Sequence, residues 1–229
     1  MQKTIFIILI VLIVGVGAFF YFTRPPENPS TDIQSAAENN QNPENLGEGE
    51  TLYRVSQEDS KIEFTIDELL RGEPFTVVGA TNQVAGDVIV GETENGTNLE
   101  IGTITINART FRTDSSQRDG AISRFILNTD NPDNEFITLA PTGVSGVPER
   151  IEEGVPYSLE ITGDLTISGI TKPAVFDATL IRTGSEVSAT ISATLLRSDF
   201  SLVIPDIPFV AEVPDAFSVT GTVTAPKAN

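Results

Sequence analysis

From Leu52 to the C-terminus, apolar and polar residues alternate with a period of two. The clearest run places Leu159, Ile161, Gly163, Leu165 and Ile167 on one face, with Ser158, Glu160, Thr162, Asp164, Thr166 and Ser168 on the other. That pattern predicts a strand with one dry side and one wet side. It recurs at Ile62, Phe64 and Ile66, at Ile104, Ile106 and Ala108, at Val187 through Leu195, and at Phe217 through Val223, with further strands expected over 76–90 and 175–181. Glycines at 72, 79, 86, 91, 154, 169 and 184 punctuate the series as turns or bulges. One segment breaks the rhythm: behind Asp114 or Ser115 as N-cap, Ile122, Phe125 and Ile126 fall at helical spacing and predict a short amphipathic helix over one end of the sheet. About eight antiparallel strands, each apolar on one side, must either close into a barrel or stack as a sandwich.

The first part of the chain follows a different pattern. Residues 4–22 form a run of 19 uncharged residues dense in Ile, Val, Leu and Phe, long enough at about 1.5 Å per residue to cross roughly 30 Å of hydrocarbon. Lys3 precedes the run and the chain turns acidic after Arg24, so the expected topology is a single pass with the N-terminus in the cytoplasm and the rest outside the cell membrane. The competing reading is a cleaved signal peptide, but a site at Ala18 would fall inside the apolar run, before Phe19, Phe20, Tyr21 and Phe22. Residues 24–51 carry few large apolar side chains and six acidic residues against Arg24 alone, a composition expected to remain a disordered tether. The expected organisation is therefore an anchor over 1–23, a linker over 24–51 and one all-β domain over 52–229.

Composition narrows the chemistry. With 14 basic against 32 acidic residues and a net charge of -18, the chain lacks the basic surface that nucleic acid requires. It has no Cys and no His, which removes disulfides, thiolate nucleophiles, Ser-His-Asp triads and His- or Cys-bound metals. Asp130, Asp133 and Glu135, interleaved with Asn128, Asn131 and Asn134, form the densest acidic cluster. The glycine and terminal glutamate of a calcium loop are missing, so a solvated loop is expected there and no metal or cofactor. No phosphate-binding, dinucleotide or nucleophile-elbow motif stands in a usable context, and no enzymatic activity is expected.

Several motifs carry a resemblance. Residues 163–173, GDLTISGITKP, are similar to the GDLT-x-x-G-V-T-K-P signature of YceI-like proteins, and Arg197 to Phe200, RSDF, resembles a motif of that family two strands later. Arg118 and Asp119 resemble its R-D pair, and Glu135 to Pro141 occupies the place of its Y-P-x-x-x-F strand, with Glu135 and Phe136 standing where the family has Tyr-Pro. The resemblance implies an antiparallel, lipocalin-like barrel of about eight strands whose elongated tunnel holds a polyisoprenoid chain, such as a prenyl quinone or prenyl diphosphate. Candidate lining residues on that implication are Phe64, Ile66, Val88, Ile106, Phe125, Phe136, Leu165 and Ile167, each of which also suits ordinary core packing. Arg118, Asp119, Arg197 and Asp199 are candidates for orienting a polar head group, with a competing structural role for Asp119 in a helix first turn and for Arg197 with Asp199 as a pair at a strand end. Lys172 and Pro173 suggest a turn, and 204–214, with three prolines, a stiff loop at one end of the barrel.

Two other classes stay open beside a lipid-holding protein: an interaction module with a side-chain-filled barrel, and an enzyme using a carboxylate pair. The expected partners are an apolar lipid and the cell membrane through residues 4–22. The oligomeric state, a homodimer being one option, is not fixed by these patterns.

Overall fold

The structure, a computed structural model, describes residues 33–38, 46–93, 96–205 and 210–228. The expected anchor at 4–22 lies outside the described residues, and no described helix is long and apolar enough to cross a membrane.

Thirteen strands follow one another: β1 (Glu50–Arg54), β2 (Lys61–Leu70), β3 (Glu73–Thr81), β4 (Val84–Ala85), β5 (Asp87–Thr93), β6 (Gly96–Ile101), β7 (Ile104–Asn107), β8 (Phe136–Ser145), β9 (Tyr157–Ile167), β10 (Ile170–Thr183), β11 (Glu186–Leu196), β12 (Val210–Ala211) and β13 (Ala216–Pro226). Two short helices, α1 (Ile33–Glu38) and α2 (Ser116–Ala121), complete the frame, and a π-helical turn over Ile122–Ile126 continues α2. The all-β class is as expected, but the strand count exceeds eight. The excess comes from interruptions: Gly86 alone separates β4 from β5, Gly102 and Thr103 separate β6 from β7, and β4 and β12 are two residues each.

The pairings between these strands are antiparallel, in the order β3-β2-β13-β11-β10-β9-β8-β7-β4. The two outer members of that order are consecutive in the chain. β3 pairs with β2, while β4, two residues later, pairs with β7. A bent run of chain thus belongs to both edges and draws them together. Reciprocal backbone bonds of 2.9 Å between Ala80 and Arg112, just after β7, tighten the seam. The result is a nearly closed barrel, the arrangement that leaves few strand edges unpaired. β5 bends away at Gly86 to pair with β1 and β6 in a separate three-stranded sheet.

Alternation sets which side chains face inward. In β9, Leu159, Ile161, Gly163, Leu165 and Ile167 are buried and every residue between them is exposed or half-buried. β10 repeats this with Ala174, Phe176, Ala178 and Leu180. Burying one such large aliphatic or aromatic side chain contributes about 1.5–3 kcal/mol, so the two strands together hold much of the wall. Their hairpin turns through Ser168 and Gly169, both at positive φ (50° and 76°), the backbone of a two-residue type I′ turn. Lys172 and Pro173 lie instead in β10, opposite Leu165 and Asp164. Pro173 is tolerated because pairing of β10 with β11 begins only at Asp177, leaving its missing N–H without a strand to serve.

Within the stretch expected to be a disordered tether, Ile33–Glu38 forms α1. Ile33 and Ala37, four residues apart on one helical face, are buried against Ala85 and Phe136. These few apolar contacts supply what the composition of the segment as a whole does not.

Candidate ligand cavity and its polar end

Strands β2, β3 and β5 to β13, together with α2 and the π turn, border a cavity of about 480 Å³, within the size range of small-molecule sites. Its lining is almost wholly aliphatic and aromatic, and the polar members are Glu63, Glu68, Ser115, Gln117, Arg118 and Arg197. Close approach of backbone to ring shapes one wall. Gly79 faces Phe64 across β2 and β3, and a Cβ there would sit 2.2 Å from the Phe64 ring. The space left by the absent side chain seats the ring, which meets Phe111 edge-on at 5.4 Å.

Six of the expected lining residues, Phe64, Ile66, Val88, Ile106, Leu165 and Ile167, border the cavity, and Phe125 and Phe136 do not. Phe125 is 49 % exposed. The helix widens to π winding at this point, with the Leu127 N–H bonded to the Ile122 carbonyl at 2.8 Å. That winding keeps Ile122 and Ile126 on the cavity side and turns Phe125 away. Phe136 fails by parity. In β8, Ile137 and Leu139 face inward, so Phe136 points out and packs against α1.

The four expected head-group residues separate into different environments. Asp119 is buried, and its Oδ1 accepts from the Thr113 N–H and hydroxyl, both at 2.7 Å. It holds the loop that enters α2, whose N-cap is Ser115. Arg197 lines the cavity with its stem, but its guanidinium donates to the carbonyls of Pro214 (2.9 Å), Leu202 (3.0 Å) and Val213 (3.1 Å). It ties Leu202, Val213 and Pro214 to the end of β11. Asp199 is exposed, and the expected Arg197–Asp199 pair does not form. The acid of that corner is Asp215, which accepts from the Ser198 hydroxyl (2.5 Å) and N–H (2.9 Å). Those two bonds, with the nearby Arg197 charge, hold its carboxyl below the usual aspartate range.

Arg118 alone of the four carries its charge to the cavity. Its guanidinium lies 5.2 Å over the Phe75 ring, contacts the exposed Asp114, and stands 3.5 Å from Glu68 Oε1. Glu68 was not singled out in the sequence, although it continues the alternation Ile62, Phe64, Ile66 by one more inward position. Its side chain is only 9 % exposed, and Oε1 accepts no hydrogen bond among the described residues.

Glu135, expected in a solvated acidic loop, is instead 2 % exposed. It takes Arg109 Nη1 at 2.9 Å and the Asn107 amide at 3.1 Å, while Arg109 Nε donates to the Thr129 carbonyl at 2.9 Å. Among the described residues no group of three or more acidic side chains is placed to hold a metal ion.

Comparison with known proteins places this geometry. Residues 53–225 match the family model of the YceI-like domain. Among solved structures, a polyisoprenoid binding domain from Saccharophagus degradans, implicated in plant cell wall breakdown, superposes with a TM-score of 0.59 at 12% identity, covering 77% of this chain and 98% of that one. Burkholderia cenocepacia BcnA gives 0.55 at 16% identity, covering 75% of this chain and 99% of that one. The Campylobacter jejuni YCEI protein gives 0.51 at 16% identity, covering 66% and 85%. These likenesses establish the shared barrel fold. Comparison with curated proteins finds no match.

Proposed function

The chain belongs to the YceI-like domain family, and from that premise we propose that it is a non-catalytic binding protein that holds a long apolar lipid, a polyisoprenoid such as a prenyl quinone, inside the barrel. The observation that carries this reading is the cavity: about 480 Å³ of space lined almost wholly by aliphatic and aromatic side chains. An apolar chain transferred there from water gains roughly 0.8 kcal/mol per methylene, so ten or so carbons bind without a dedicated polar anchor. The name of the Saccharophagus degradans relative, a polyisoprenoid binding domain, supports the same ligand class. The open interior argues against an interaction module with a side-chain-filled barrel.

In this proposal residues 4–22 anchor the chain in the cell membrane and the barrel lies outside it, next to the bilayer in which such lipids reside. Native mass spectrometry of the full chain purified from its own host, followed by organic extraction, tests the reading. A stoichiometric prenyl lipid is the expected result. Protein that carries no lipid and takes none up from either added prenyl quinone or added prenyl alcohol would overturn it.

A further inference from the structure

An apolar barrel has no need of a buried carboxylate, yet Glu68 projects from β2 into this one. Its neighbours along the same face, Ile62, Phe64 and Ile66, line the cavity with it. A carboxylate oxygen with no hydrogen bond and a side chain 9 % exposed is costly unless another group completes it. The Arg118 guanidinium 3.5 Å away answers its charge but forms no hydrogen bond to Oε1. Arg118 also contacts the exposed Asp114, so its positive charge is shared and only partly answers Glu68.

We propose that Glu68 Oε1 is the acceptor for a hydroxyl on the lipid, so that the site selects an apolar chain ending in an O–H donor, an alcohol or a hydroquinol, over an anionic or acceptor-only head group. This rests on the lipid-binding reading above and narrows its head group from a quinone to the hydroquinol or an alcohol. A hydroxyl donates to Oε1, and its own lone pairs face the Arg118, Ser115 and Gln117 side chains that border the same cavity. A diphosphate or fatty carboxylate brings further negative charge against Glu68. A quinone or ether offers oxygens that only accept and leaves Oε1 unsatisfied.

The test measures binding of three probes with the same chain, farnesol, farnesyl methyl ether and farnesyl diphosphate, to the full chain by equilibrium dialysis. Farnesol is expected to bind at least about tenfold more tightly than either of the others, the usual loss when a buried charged acceptor goes unpaired. In Glu68→Gln, whose amide N–H serves an ether oxygen, the gap between alcohol and ether is expected to close. A decyl quinol and its quinone form a second arm, in which the quinol is expected to bind more tightly, and equal binding of the two would overturn the proposal. Ether or diphosphate binding as tightly as farnesol to the wild-type chain would overturn the proposal while leaving the lipid-binding reading intact. So would a tenfold gap that survives in Glu68→Gln. Failure of all the probes to bind would overturn both.

Discussion

Two arginine–glutamate pairs lie inside this barrel domain, and they are built to opposite specifications. Arg109 and Glu135 meet at 2.9 Å between the ends of β7 and β8, and the asparagine amide of Asn107 and the carbonyl of Thr129 use further polar atoms of the pair. Arg118 and Glu68 stand 3.5 Å apart beside the cavity, with Glu68 Oε1 left without a hydrogen bond among the described residues. The first pair is finished by the protein and fixes where the chain leaves one strand and enters the next. The second is unfinished, and it faces the space where a ligand would lie. A fully satisfied network rigidifies a fold, whereas the pair with an open acceptor borders the cavity.

The largest effect is expected at the finished pair. Glu135→Ala leaves the Arg109 guanidinium buried without its counterion and should destabilise the domain by about 3–5 kcal/mol, measured by urea denaturation. A loss below about 1 kcal/mol, the value of an exposed pair, would erase the distinction. Next in size is Gly79→Ala, which places a methyl group 2.2 Å from the Phe64 ring and should cost about 1–3 kcal/mol through overpacking. That result would show packing around the cavity outweighing the Glu68–Arg118 pair beside it, though not the finished pair. Glu68→Leu removes an unsatisfied carboxylate and leaves Arg118 with Asp114, so its stability should lie within about 1 kcal/mol of wild type. A destabilisation as large as that of Glu135→Ala would show the second pair to be structural as well.

The smallest effect is expected at the exposed corner next to Arg197. The Ser198 hydroxyl and N–H lower the pKa of Asp215 in the folded state. A depressed folded pKa contributes stability above the unfolded value of about 3.9 and loses it as pH falls through the folded one. Asp215→Asn should therefore melt slightly below wild type at pH 7, and the difference should shrink when both are melted at about pH 3. A constant difference across that range would remove the linkage.

Much of the wall was legible because strand geometry makes burial a matter of parity. Leu159 through Ile167 face inward as the alternation requires, and the Ser168–Gly169 turn closes the hairpin inside the GDLTISGITKP segment. Parity also marks where reading failed. Counting Phe136 as inward missed the true face by one residue, and helical spacing placed Phe125 inside without regard to π winding. Glu68 was overlooked because an acidic residue is ordinarily assigned to solvent, although its position in the β2 alternation already pointed inward.

Local pattern was enough to determine the all-β class, the inward faces of β9, β11 and β13 and the apolar character of the interior, because each depends on neighbours two residues apart. Tertiary structure alone decided the rest. Closure of the barrel depends on β3 and β4 joining opposite edges of one sheet. The union of Arg109 with Glu135 spans 26 positions, and that of Arg118 with Glu68 brings a helix to a distant strand. No local period encodes such meetings, since long-range register sets which side chain finds a partner and which acceptor is left open.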